Sequence, residues 1–276
     1  MRGLREQHEY AARLPSEGAQ LLHLLAARAG VGRQKSARIA ALRKGRRAAR
    51  ANSFARLPGR DTIAPMTQDV ELSCRCGEVH GWLKGVSPST VNRAICYCDD
   101  CQAFAHHIGR ADILDAKGGT DVVQVAPRSL SFDKGAERIV GLRLSPKGLH
   151  RWYASCCKTP LGNTFTPAMP FVGIVPEALL GTSEQREQLF GKVRGAIFGQ
   201  YAIGGAPPGS TKMSFGLMAH TMKLLLGWKL GGKAWPHPFF DRSGAPSRPV
   251  TVLSQPEREL LRAKCGPKPA AAAPPS

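Results

Sequence analysis

Cys96-Tyr97-Cys98-Asp99-Asp100-Cys101 packs three thiols into six residues, and further cysteines lie on either side: Cys74-Arg75-Cys76 upstream and the adjacent pair Cys156-Cys157 downstream. Seven of the eight cysteines therefore fall between residues 74 and 157. A thiolate binds zinc at about 2.3 Å, and a tetrahedral site needs four donors converging from short turns. Spacings of one or two residues let a turn aim two sulfurs at one point. Groups this far apart can share an ion only if the chain between them folds. Metal binding is the reading such clustering supports. Disulfide pairing suits secreted chains, and no secretory signal is visible.

The central group and the outer groups read differently. Three sulfurs from one short run can grip one zinc and leave its fourth position to water or an incoming thiol, which is what separates catalytic from structural zinc. The competing reading closes that site with His106 or His107. Cys74 and Cys76 supply half a site, and Cys157, together with Cys156, is its natural complement. Neighbours on a strand point to opposite faces, so both cysteines of that pair can reach one ion only from a turn. An inert buried thiol or a vicinal disulfide is the alternative there. Asp99 and Asp100 read as turn residues, and Cys265 as incidental.

Outward from the cysteines, the apolar period is two. Val70-Glu71-Leu72 leads into the first pair and Val79-His80-Gly81-Trp82-Leu83 leads away, so residues 74–77 form a turn between strands. Gly77 permits positive φ there, which lets amide N–H groups face the sulfurs. Residues 91–96, 122–125, 129–132, 137–144 and 150–155 read as further strands, and residues 101–107 as a short helix. Beyond them the pattern turns helical. Thr182 and Gln185 form a capping box, after which Leu189, Val193 and Ile197 recur every four residues. Residues 215–230 form a second helix with Met218, Met222, Leu225 and Leu226 on its core side and docking on a membrane surface as the lesser alternative; Ser254 and Glu257 cap a third.

Of 276 residues, 39 are Lys or Arg and 20 are Asp or Glu, a formal charge of +19. Residues 1–65 hold 14 of the basic and 4 of the acidic residues. That segment fits a nucleic-acid-binding arm, an Arg-rich targeting peptide, or translated upstream sequence, the last favoured here with Met66 as the working start. A nucleic-acid partner depends on that arm being part of the working protein. No run reaches the ~18 apolar residues of a membrane-spanning helix, so the chain reads as soluble and, from its free thiols, cytoplasmic.

The succession Cys74-Arg75-Cys76-Gly77, Cys96-Tyr97-Cys98-Asp99-Asp100-Cys101, then strands and Trp152-Tyr153-Ala154-Ser155-Cys156-Cys157-Lys158-Thr159-Pro160-Leu161 resembles the glutathione-dependent formaldehyde-activating enzymes and centromere protein V relatives, over residues 69–176. The resemblance implies a mainly β fold: a zinc-binding β-tent-like domain over residues 66–180. An α-helical C-terminal extension (181–264) and a disordered Pro/Ala tail (265–276) would follow. It implies a catalytic zinc on Cys96, Cys98 and Cys101 and a structural zinc on Cys74, Cys76 and two cysteines of the final stretch. The activity implied is carbon–sulfur lyase chemistry on a small thiol such as glutathione and an aldehyde. The alternative is a non-enzymatic zinc module that binds a protein or nucleic acid. Ala154 stands where the family has its first late cysteine and Lys158 where it has glycine, so only Cys157 carries over directly. Either Cys156 compensates or the structural site is weakened or lost, giving one or two Zn2+ per chain.

Overall fold

Alternation opens the domain: β1 (Gln68–Ser73) buries Leu72 between exposed Glu71 and Ser73, and β2 (His80–Val86) buries Gly81, Leu83 and Val86. The structure, a computed structural model, describes residues 66–179 and 181–267. The readings of residues 1–65, and of the tail beyond residue 267, lie outside the described residues. The strands continue with β3 (Asn92–Cys96), which runs into helix α1 (Asp99–His107), then β4 (Thr120–Val125), β5 (Leu130–Lys134), β6 (Ile139–Arg143), β7 (His150–Ala154), β8 (Pro160–Thr164) and β9 (Val172–Ile174). The remaining elements are α2 (Pro176–Leu179), α3 (Ser183–Phe190), β10 (Ala196–Ile197), α4 (Phe215–Leu230), β11 (Val250–Val252) and α5 (Gln255–Arg262). The protein is thus mainly β with a few helices, as the cysteine-flanking alternation implied.

Two sheets result. β1, β2 and β5 form an antiparallel sheet of three, and eight strands follow the order β10-β3-β4-β9-β8-β7-β6-β11. The larger sheet is antiparallel except at its edges, where β10 runs parallel to β3 and β11 parallel to β6. Each edge strand comes from beyond residue 181, so the C-terminal extension carries two strands besides its helices and completes the sheet. Strands of two or three residues leave no period to detect in a sequence. The extension also fills the core. Trp152, wholly buried on β7, stacks on Phe239 at 4.8 Å and meets Phe240 edge-on at 5.9 Å. Leu72, Leu83, Val123, Leu161 and Ile174 join the same cluster. Burying each such side chain is worth about 1.5–3 kcal/mol.

Two helix readings change. The capping box at Thr182 and Gln185 forms, but α3 stops at Phe190 because Gly191, at φ 77°, turns the chain. Ile197 therefore lies in β10, pairing with Cys96, and the four-residue repeat through Val193 is not helical. For α4 the bounds agree with the sequence and the rotation does not. Leu217, Leu224 and Trp228 are buried, whereas Met218, Met222 and Leu226 face outward and Leu225 is half-buried. A helix apolar on all sides does not choose its own buried face. Polar anchors choose it instead: Asn92 Nδ2 donates to Thr221 Oγ1 at 2.9 Å, and His220 Nε2 meets the Val91 carbonyl at 3.0 Å.

Candidate metal centres

β3 delivers Cys96 to the end of the large sheet, where the Tyr97 N–H donates to the Ile197 carbonyl of β10 at 3.0 Å. The chain then turns into α1 with Cys98 as its N-cap, its sulfur accepting from the Cys101 N–H at 3.4 Å. One turn of helix brings Cys101 back towards Cys96, and their sulfurs lie 3.8 Å apart. Tetrahedral thiolates at about 2.3 Å from an ion are ~3.8 Å from one another. The three sulfurs of Cys96, Cys98 and Cys101 fall within 4.8 Å of one another and could hold a metal ion. Cys96 and Cys101 are buried and Cys98 is partly exposed. Among the described residues no histidine or carboxylate joins the group.

Beneath the sulfurs lies Arg151 of β7, 1% exposed. Its Nη1 points at Cys101 Sγ (3.6 Å) and at Asn163 Oδ1 (3.4 Å), and the guanidinium lies 5.5 Å from the Phe104 ring centre. Its Nη2 is buried without a partner. Burial alone would discourage the charge, but Cys101 and Cys98 more than offset it and raise the guanidinium's pKa further. The effect is reciprocal. Hydrogen bonds from the Cys96 and Cys98 thiols, then the charge of Arg151, hold Cys101 well below the usual thiol range. Sharing with that anion pushes Cys98 up to about 12, and hydrogen bonding with Cys101 and Cys98 likewise holds Cys96 well above the usual thiol range. One buried guanidinium thus favours one net negative charge on the group. Three thiolates around a divalent ion carry that same net charge of minus one.

The loop that carries these sulfurs is clamped by Gln102, which has no exposed surface. Its Nε2 donates to the Tyr97 carbonyl at 2.8 Å and the Tyr201 carbonyl at 3.0 Å, while its Oε1 accepts from the Gly266 N–H at 2.8 Å. Asp99 and Asp100 are committed to α5 through ion pairs with Arg262 and Arg258. His106 and His107 lie in the last turn of α1, outside the sulfur group. Cys265 packs against the Asp99 and Leu261 carbonyls near α1.

The outer cysteines also converge. Sulfur separations are 3.6 Å for Cys74 and Cys76, 3.3 Å for Cys76 and Cys156, 4.0 Å for Cys74 and Cys156, and 3.9 Å for Cys156 and Cys157. All four sulfurs lie within 4.8 Å and could hold a second ion. Gly77 adopts φ 77°, and the Val79 N–H donates to Cys74 Sγ at 3.2 Å. The vicinal pair reaches one point because it lies in the turn between β7 and β8. That turn closes from the Lys158 N–H to the Ala154 carbonyl at 2.8 Å, with Lys158 itself at φ 59°. Ala154 stays on the strand, wholly buried, and Cys156 supplies the sulfur it lacks. Burial opposes ionisation of Cys157, yet hydrogen bonds from Thr159 and the Cys76 N–H bring it down to about 6. Burial and then hydrogen bonding with Cys76 push Cys156 up to about 12. Without an ion, the group favours one thiolate.

All seven expected donors are thus brought together, in two sets. The sequence reading missed Arg151 and Gln102. Alternation offered no sign of Arg151, because β7 buries both Arg151 and the neighbouring Trp152. Gln102 could have been suspected only from its position on the inner side of the first helical turn.

A mainly β chain bearing a three-sulfur and a four-sulfur cluster is the class that fold and site define. The chain belongs to DUF6151, a family of unknown function, whose profile matches residues 66–251. No curated protein matches the chain. Among solved structures, a Rhodobacter sphaeroides protein aligns with 14% identity over 46% of this chain and 100% of its own, at a TM-score of 0.32. Among the described residues, no helix is long and apolar enough to cross a membrane.

Proposed function

We propose that this chain is a zinc-dependent carbon–sulfur lyase-like protein acting on adducts of a small thiol and an aldehyde, such as S-hydroxymethylglutathione. The reading places it with the glutathione-dependent formaldehyde-activating enzymes and centromere protein V relatives, on a β-tent-like domain. The observation that carries it is the contrast between the clusters: four converging sulfurs on one side, three beside a buried cation on the other. All-thiolate sets of this spacing suit zinc, and the four-donor set has the composition of a closed structural site. Zinc held by Cys96, Cys98 and Cys101 would supply a Lewis-acid position that lowers the pKa of an incoming thiol.

The chain's own residues then divide the work. Cys96 and Cys101 hold the ion from within, and partly exposed Cys98 lies on the side from which a ligand enters. Arg151 offsets the charge of the thiolates and Gln102 keeps their loop in place. Cys74, Cys76, Cys156 and Cys157 tie the β1–β2 turn to the β7–β8 turn. A reduced, cytoplasmic setting belongs to the same reading, because both clusters need free thiols.

Metal analysis of purified protein should find two zinc ions per chain. Metal-loaded protein should bind a small thiol and change the rate at which a thiol–aldehyde adduct forms or breaks down, followed by NMR. If it neither binds thiol nor changes that rate, the lyase reading fails and a non-enzymatic zinc module takes its place.

A further inference from the structure

The outward side of α4 is a row of large apolar side chains: Phe215, Met218, Met222, Leu226 and Leu230 are 86, 49, 58, 58 and 79% exposed. Steps of three and four residues put them on one face, along about 22 Å of helix at 1.5 Å per residue. Isolated exposed apolar residues are ordinary on a protein surface; a continuous row marks a face that something covers. The opposite side, through Leu217, Leu224 and Trp228, already anchors α4 to the domain, so the row is free of the core.

Charge indicates what covers it. Lys223 borders the row, Lys229 lies at its C-terminal end, and exposed Lys212 and Lys233 stand just beyond the two helix ends. Among the described residues none of these four lysines forms an ion pair. No Asp or Glu occurs anywhere from residue 188 to residue 240, a stretch holding six Lys or Arg. An apolar stripe rimmed by unpaired cations suits the boundary between acyl chains and anionic headgroups, where lysines extend towards phosphate while the stripe sinks. Sixteen residues, one face of which is buried in protein, suffice to lie in that boundary and not to cross the bilayer.

We propose that α4 docks the protein on an anionic membrane surface, with Phe215, Met218, Met222, Leu226 and Leu230 entering the interface and the flanking lysines engaging acidic headgroups. The proposal is independent of the lyase reading. The test is co-sedimentation of the full chain with vesicles of phosphatidylcholine alone and of phosphatidylcholine with phosphatidylglycerol, at low and high salt. Wild type should partition onto the acidic vesicles and do so less at high salt. Met218→Ser/Met222→Ser/Leu226→Ser should weaken that partitioning about tenfold or more, and Lys223→Glu/Lys229→Glu should weaken it on acidic vesicles alone. Both variants change exposed positions, so circular dichroism and zinc content should match wild type. Comparison with wild type separates α4 from the basic residues 1–65. Wild type that ignores acidic vesicles, or a serine variant that partitions as wild type does, overturns the proposal. So does a serine variant whose one change is to turn a dimer into a monomer, because a second copy would then cover the row.

Discussion

Replacing Arg151 with methionine should weaken metal binding at the three-sulfur cluster while leaving the metal-free fold nearly as stable as before. The guanidinium lies 3.6 Å from Cys101 Sγ and is buried. At an effective dielectric near 20, charges at that separation attract by roughly 5 kcal/mol before desolvation is subtracted. Burying the guanidinium costs several kcal/mol, which methionine, of similar length and apolar, does not incur. Most of the gross attraction therefore cancels in the fold, and what survives is the preference for the thiolate form of the cluster. Losing an outer-shell partner of this kind typically costs about 10–100-fold in metal affinity, or ~1.4–2.8 kcal/mol. Because Arg151 helps lower Cys101, its loss also raises the pH at which metal displaces protons from the sulfurs. The assay is chelator competition for zinc across pH 6 to 9, with urea unfolding of the apo protein as control. Arg151→Lys, which keeps the charge, should recover part of the affinity. Equal zinc affinity in wild type and Arg151→Met would refute the charge argument. A lysine variant no better than methionine would show that shape, not charge, matters at this position.

Cys98→Ser should abolish thiol binding and leave a folded protein, whereas Cys74→Ser should lower the melting temperature, because its partner Cys156 lies 82 residues downstream and metal energy there would be folding energy; calorimetry with zinc analysis distinguishes them, and equal destabilisation would make both clusters structural. Lys158→Gly should stabilise by about 0.5–1 kcal/mol, since an L-residue at φ 59° costs about 1–2 kcal/mol and glycine recovers part of it; no change in urea midpoint would contradict this. Burial brings His237 down to about 4. Its neutral form therefore contributes stability that is full above about pH 6.5 and is lost as pH falls towards 4, at most ~3 kcal/mol; His237→Gln should flatten that part of the pH–stability curve relative to wild type.

What could be read in the chain follows the range over which each signal acts. The turn at Cys74–Gly77, the strands around Cys96 and Trp152, the capping boxes at Thr182 and Ser254 and the bounds of α4 all come from contacts within a few residues, where period, cap chemistry and glycine speak directly. The grouping of Cys96, Cys98 and Cys101 was legible for the same reason. The outer cluster was legible only as a set of donors in need of one another. Whether Cys156 could stand in for the cysteine absent at position 154 depended on a turn in which Lys158 takes a left-handed conformation. Side-chain spacing does not report such a conformation.

Sequence by itself determined the mainly β class, the seven sulfur donors and their division into a local triplet and two distant pairs, because these rest on residue identity and short-range periodicity. Tertiary structure alone decided that β10 and β11 complete the large sheet, that α4 turns its methionines outward, that Arg151 lies beside the triplet and that Gln102 clamps its loop. Each of those outcomes is a choice among faces or partners far apart in the chain. Such a choice is settled by which polar groups find hydrogen bonds when the core closes.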